Sequence, residues 1–152
     1  MAAQEHVALA QSLFELFNNR QSDPAWLDKS VAAFAADAEL IDVPSGATLH
    51  GPAGHKRLLL FLVESFPDLR TELTHVFATE DQVVLEGVFR GTSTGSGTLP
   101  TGALNAAGRP GEVRCCFVMQ IRDGKITSVH AYFDLTTLLE QLGFNAATAQ
   151  AM

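Results

Sequence analysis

Three residues able to move protons or form strong hydrogen bonds alternate near the end of this 152-residue chain: His130, Tyr132 and Asp134. In an extended strand alternate side chains share a face, so an imidazole, a phenol and a carboxyl would stand in a row. The preceding segment, residues 112–122, is rich in β-branched and aromatic residues, and Asp123-Gly124 joins it to residues 125–133. That dipeptide is a strong hairpin signal, because both central residues of the turn need positive φ. If Arg122 pairs with Lys125, counting outward sets Phe117 opposite His130 and Cys115 opposite Tyr132. Ile126, Ser128, His130, Tyr132 and Asp134 then share a face with Val113, Cys115, Phe117, Met119 and Ile121, which are all apolar. A carboxyl on such a wall has its pKa raised by desolvation and suits proton transfer near neutral pH. The competing reading turns this face to solvent and makes Asp134 the N-cap of a helix starting at Leu135. The residues alone leave both open.

Other candidates carry less chemistry. His75 lies mid-strand, and Arg90 shares a strand face with Glu86; they belong either to a cavity wall or to a paired, solvated surface. His50 and His55 flank the Gly51-Pro52 turn. No histidine pair has the spacing of a helical metal motif and no cysteine joins one in a zinc pattern, so no metal and no cofactor are expected. Cys115 and Cys116 are adjacent, point to opposite faces of a strand and cannot staple distant segments; a structural role is expected. The Gly-, Ser- and Thr-rich run 91–97 has neither the lysine nor the following helix of a phosphate loop.

The elements that would position these groups follow from periodicity. Ala8, Leu9, Leu13, Leu16 and Phe17 recur at helical spacing, predicting a helix over 3–19. Asp23-Pro24 opens a second over 24–33, and Gly51-Pro52 precedes a third over 53–65. Strands are expected over 39–43, 48–50, 71–78, 82–89, 112–122 and 125–133. A last helix over 135–142 stops at Gly143, a suitable C-cap. Helices first and a long antiparallel run afterwards give an α+β layout, with a curved, mostly antiparallel sheet wrapped around three N-terminal helices. One domain is expected over 1–145, with a frayed tail over 146–152 and a mobile loop over 91–111 at a pocket mouth.

Composition narrows the function classes. Hydrophobic residues make up 47% and charged residues 18%, which calls for a packed core. Phe occurs ten times against one Trp and one Tyr, as in a filled core or an apolar cavity wall. A net charge of −7 repels nucleic-acid phosphates and anionic lipid, so neither is an expected partner. No run approaches the ~18 apolar residues of a membrane helix, and the opening residues lack the basic region of a signal peptide. A cytoplasmic location is the resulting expectation.

Six short segments stand in order along the chain: Phe66-Pro67-Asp68-Leu69, Asp81-Gln82-Val83-Val84, Gly91-Thr92-Ser93-Thr94-Gly95, Pro100-Thr101-Gly102, Asp123-Gly124-Lys125-Ile126, and Asp134 followed by Leu138-Leu139-Glu140-Gln141-Leu142-Gly143. In order and spacing they resemble the SnoaL-like polyketide cyclase (ester cyclase) family of the nuclear-transport-factor-2-like (NTF2-like) superfamily. The resemblance implies a cone-shaped α+β fold with a deep apolar pocket, usually in a homodimer or larger homo-oligomer. It implies a cofactor-independent acid/base enzyme closing a ring of a hydrophobic, polyketide-like substrate by an intramolecular aldol step. The family's acid/base aspartate matches Asp134. His130 stands where an aromatic is common and would assist it. Tyr132, Phe117, Cys115, Met119, His75 and Arg90 would contact substrate. The superfamily also holds isomerases, epoxide-opening enzymes, cofactor-free hydroxylases and non-catalytic binding modules, which fold alone does not separate.

Overall fold

A computed structural model describes residues 2–94, 98–99, 102–103 and 107–143. The helices are α1 (Ala2–Asn18), α2 (Trp26–Ala32), α3 (Gly51–Ser65) and α4 (Leu135–Gln141), with a 3₁₀ turn at Arg20–Ser22. The strands are β1 (Phe34–Asp42), β2 (Ala47–His50), β3 (Arg70–Ala78), β4 (Gln82–Thr92), β5 (Thr98–Leu99), β6 (Gly102–Ala103), β7 (Pro110–Arg122) and β8 (Lys125–Phe133). Six of them form one sheet in the order β2-β1-β8-β7-β4-β3, while β5 and β6 pair separately. All neighbours are antiparallel except β1 and β8, which run parallel. The fold is the expected α+β one, with α1 and α3 packed on one face of the sheet.

Local chemistry explains most boundaries. Asp123 and Gly124 adopt φ of 53° and 73°, as their hairpin requires. Gly51 opens α3 at φ +67°, where a Cβ would sit 2.9 Å from the Ala36 carbonyl oxygen, so no side chain fits there. Asn18 ends α1 by extending the β3 ladder: its Nδ2 donates to the Thr71 carbonyl (2.8 Å) and its Oδ1 accepts from the Thr71 N–H (3.0 Å). Arg20 ties α1 to the turn before β3, donating to the carbonyls of Phe17, Leu69 and Pro67. Its guanidinium lies 4.3 Å from the centre of the Phe17 ring.

Two expectations need correction. β1 begins at Phe34 rather than residue 39: residues 34–38 have helix-like composition, yet Phe34 pairs with Ile126 and Glu39 with Ser128 of β8, and residues 35–38 span the irregularity between these two anchors, so tertiary context overrides the weak propensity. Gly91 and Thr92 continue β4 and pair with Gly111 and Pro110 of β7, so the expected 91–111 loop is shorter at both ends. The expected tail over 146–152 and the centre of that loop lie outside the described residues. Among those residues, no helix is long and apolar enough to cross a membrane.

Candidate active site

The wall of the site starts from β7. Val113, Cys115, Phe117, Met119 and Ile121 alternate on its inner face, and all but half-buried Phe117 are buried. The partner strand β8 does not follow the simple hairpin count. Ile121 pairs with Ile126, but Gln120 pairs with Ser128, leaving Thr127 as an extra residue on β8. Such a bulge reverses the inward and outward phase beyond it. The Thr127 hydroxyl donates to the Gln120 carbonyl (3.3 Å), which helps hold the irregularity. From there Met119 faces Val129, Phe117 faces Ala131, and Cys115 faces Phe133. The inner wall of β8 is therefore Val129, Ala131 and Phe133.

This overturns the expected placement of the alternating row. His130 lies on the outer face opposite Val118 and beside Ile41 of β1. Tyr132 is opposite Cys116 and 43% exposed. Asp134 is exposed and caps α4: its Oδ1 accepts from the Thr137 N–H (2.9 Å) and its Oδ2 from the Thr137 hydroxyl (2.6 Å). These bonds hold its carboxyl below the ordinary carboxylate value, the opposite of what proton transfer at neutral pH needs. His75 and Arg90 are also outward. His75 Nδ1 lies 3.0 Å from Glu86 Oε1. Arg90 donates to Glu72 Oε2 (2.7 Å) and approaches Glu112 Oε1 (3.5 Å), beside an open polar groove of about 980 Å³. Phe117 and Met119 do reach the inner cavity. Cys115 is 3% exposed and burial pushes its thiol up to about 12, leaving it unreactive.

The cavity enclosed by sheet and helices has a volume of about 370 Å³ and is lined mainly by Phe, Leu and other apolar side chains. Leu135 and Leu138 of α4 and its C-cap residue Leu142 close one side of it. That helix is held by Gln141, whose amide accepts from the Glu112 N–H (2.7 Å) and donates to the Glu112 carbonyl (2.8 Å), continuing the ladder beyond the end of β8.

Five polar residues break the apolar lining: Ser30, Asp42, Ser45, His55 and Thr71. Asp42 ends β1 in register with Ala131, on the same inward phase as Leu40. Its Oδ2 accepts from the Ser45 hydroxyl (2.8 Å), while its Oδ1 is sealed from water and makes no hydrogen bond. Burial raises its pKa, and the Ser45 bonds oppose that rise only in part. His55, on α3, stacks on the Phe34 ring at 3.9 Å, and burial drives its pKa down to about 4, so it is neutral at physiological pH. Its Nδ1 and the Ser30 hydroxyl are sealed from water and make no hydrogen bond.

Neither Asp42 nor His55 is among the candidates that the sequence reading puts forward for chemistry. A signal was present for each. Asp42 has the parity of Leu40 in a strand with a core-facing side, and His55 precedes Leu58 and Leu59 by one helical turn. Among the described residues, no three His, Cys, Asp or Glu side chains cluster closely enough to hold a metal ion.

Comparison with known proteins agrees with this architecture. The model of one family, SnoaL-like polyketide cyclase, matches residues 8–142. No curated protein matches in sequence. A protein from Jannaschia sp. CCS1, provisionally described as a SnoaL-like polyketide cyclase, superposes with a TM-score of 0.75 at 20% identity, over 90% of this chain and 93% of its own. An NTF2-like protein from Burkholderia xenovorans LB400 gives 0.69 at 21% identity, covering 94% and 99%. An LEH-like epoxide hydrolase from M. tuberculosis gives 0.70 at 16% identity, covering 92% and 90%. At these identities the likeness establishes the NTF2-like fold, one that enzymes share, and not a reaction.

Proposed function

The chain belongs to the SnoaL-like polyketide cyclase family, and on that premise we propose that it is a cofactor-independent acid/base enzyme acting on a hydrophobic, polyketide-like small molecule. Asp42 is its proton-transfer group. The observation that carries this reading is that Asp42 is the one carboxyl in the cavity wall among the described residues, with its pKa raised by burial. Enzymes of this kind need a base whose pKa is brought toward the working pH, and desolvation does that.

The reaction that fits best is an intramolecular aldol ring closure. The Asp42 carboxylate removes a proton from a carbon acidified by a neighbouring carbonyl. The resulting enolate carbon bonds to a second carbonyl carbon of the same molecule, and the new alkoxide takes the proton back from Asp42. Atoms and charge balance with no co-reactant. A positioned acid/base contributes ~10²–10⁴-fold in rate, and holding the two carbons in near-attack geometry supplies more.

The test needs no knowledge of the natural substrate. 2-Tetralone, an apolar ketone with acidic α-hydrogens, is incubated with the protein in D₂O and deuterium uptake is followed by mass spectrometry. Wild-type protein should accelerate uptake, and Asp42→Asn should lose at least ~10²-fold of that acceleration. Equal uptake with Asp42→Asn would overturn the assignment; binding without acceleration by the wild type would make the protein a carrier.

The outer face of the sheet supports a second proposal, that two copies of the chain pair there. Phe77 is 62% exposed on that face, and Val84, Val118 and His130 continue its row across β4, β7 and β8, while Tyr132, 43% exposed, stands two residues further along β8 opposite Cys116. Contiguous exposed apolar surface of this kind marks an association site.

A further inference from the structure

Buried polar groups in folded proteins almost always find a hydrogen-bond partner, and each exception asks for an explanation. Three of the exceptions here, Ser30 Oγ, Asp42 Oδ1 and His55 Nδ1, belong to residues lining one cavity. They fall at two separate places. Asp42 is in register with Ala131, whereas Phe34, on which His55 stacks, is in register with Ile126. Those partners are five residues apart on β8, roughly 16 Å at the rise of an extended strand. Ser30 belongs with His55, since its carbonyl accepts from the Ala33 N–H immediately before Phe34.

We infer that the Phe34 end of the cavity is a second polar subsite, in which His55 and Ser30 bind an uncharged hydroxyl group carried by the ligand at the end remote from Asp42. This rests on the reading of the cavity as a substrate site and adds a substrate class to it: an elongated apolar ketone with a distal hydroxyl. The chemistry of the subsite selects the group. His55 and Ser30 offer a ring nitrogen and a hydroxyl and no formal charge, so a carboxylate or ammonium would enter uncompensated. A hydroxyl both donates and accepts, which matches a neutral imidazole and a serine. Rotation about the Ser30 side-chain bond or the His55 ring bond turns either group to meet it. A wholly apolar ligand leaves both groups unsatisfied.

The experiment compares 2-tetralone with 6-hydroxy-2-tetralone, binding each by isothermal titration to the wild type and to His55→Phe and Ser30→Ala. His55→Phe keeps an aromatic ring against Phe34, and both variants are first checked for an unchanged thermal transition. The wild type should prefer the hydroxylated ketone by about tenfold, the scale of one buried hydrogen bond. Each variant should lose most of that preference while binding 2-tetralone as before. No preference in the wild type, or the same preference in both variants, would overturn the inference. Asp42→Asn separates the two readings: it should abolish deuterium uptake and keep the preference for the hydroxyl. Retained uptake in that variant refutes the role of Asp42 and leaves the binding result to stand or fall by itself.

Discussion

Asp42, the last residue of β1, and Ser45, in the turn that leads to β2, are three residues apart, and the Ser45 hydroxyl donates to Asp42 Oδ2 across 2.8 Å. The Ala47 N–H in turn donates to the Ser45 hydroxyl (3.3 Å), so the donor is itself oriented. Ser45 is a positioning residue: it holds the carboxyl and limits how far burial raises its pKa. A base works above its pKa, and removing a donor to the charged form raises that pKa further. Ser45→Ala should therefore move the acid limb of the pH–rate profile for deuterium uptake to higher pH, and Ser45→Thr should restore it. An unmoved limb would show that Ser45 only shapes the turn.

The same carboxyl makes the folded protein less stable as pH rises. Its folded pKa lies above its unfolded one, so between those values the native state holds the proton more often. Stability from this group is present below the ordinary carboxylate value and is lost as pH rises through the folded one. Asp42→Asn should be as stable as the wild type or more stable at pH 7, while losing activity. Urea unfolding at neutral pH checks this; a variant both inactive and clearly destabilised would point to a structural role instead.

His55 has the opposite sign. Its pKa falls from 6.5 to about 4 on folding, so the unfolded chain binds the extra proton in that interval. Stability should drop as pH falls from 6.5 toward 4. In His55→Phe the drop should be shallower, read as a flatter dependence of the denaturation midpoint on pH.

Asp134 sets a helix end rather than a reaction. Asp134→Asn should retain activity and the α4 cap, since Asn serves that position as well as Asp. Asp134→Ala should lower the melting temperature at neutral pH, with the difference from wild type shrinking in acid as the carboxylate is protonated. Loss of turnover in Asp134→Asn, with folding intact, would restore it as a catalyst.

Pairing through the outer face predicts a protein whose mass in solution is twice that of the chain. Phe77→Asp, which places a charge at the most exposed large hydrophobic side chain among the described residues, should shift light scattering to the monomer without changing the fold. A wild-type monomer at micromolar concentration would end the proposal.

The helices, the six-stranded sheet and the Asp123-Gly124 turn were legible because each is written in local terms: helical spacing of Leu and Phe, runs of β-branched residues, a dipeptide suited to positive φ. β1 was half legible, since nothing local tells that Phe34-Ala35-Ala36 extends beside β8. The family resemblance was legible in short segments spread from residue 66 to 143. The interior of the site was not, and the cause is one residue. The Asp123-Gly124 turn is written in its own two residues, but the register beyond it is not: the bulge at Thr127 turns every later side chain of β8 to the face opposite the one a simple hairpin count gives. Asp42 is hidden for another reason, since a carboxyl in a short strand reads as solvated unless its parity with Leu40 is weighed.

Thr127 thus works as a frame-setting letter in the strand. Were it drawn into the ladder opposite Gln120, the text downstream would be read in the other frame: Val129, Ala131 and Phe133 would turn outward, while the imidazole, the phenol and the carboxyl at 130, 132 and 134 would turn toward the chamber. Two chemically unlike interiors are therefore encoded in one β8 segment, separated by whether a single residue pairs or bulges. The same hairpin and helix can thus present a different set of functional groups to a ligand.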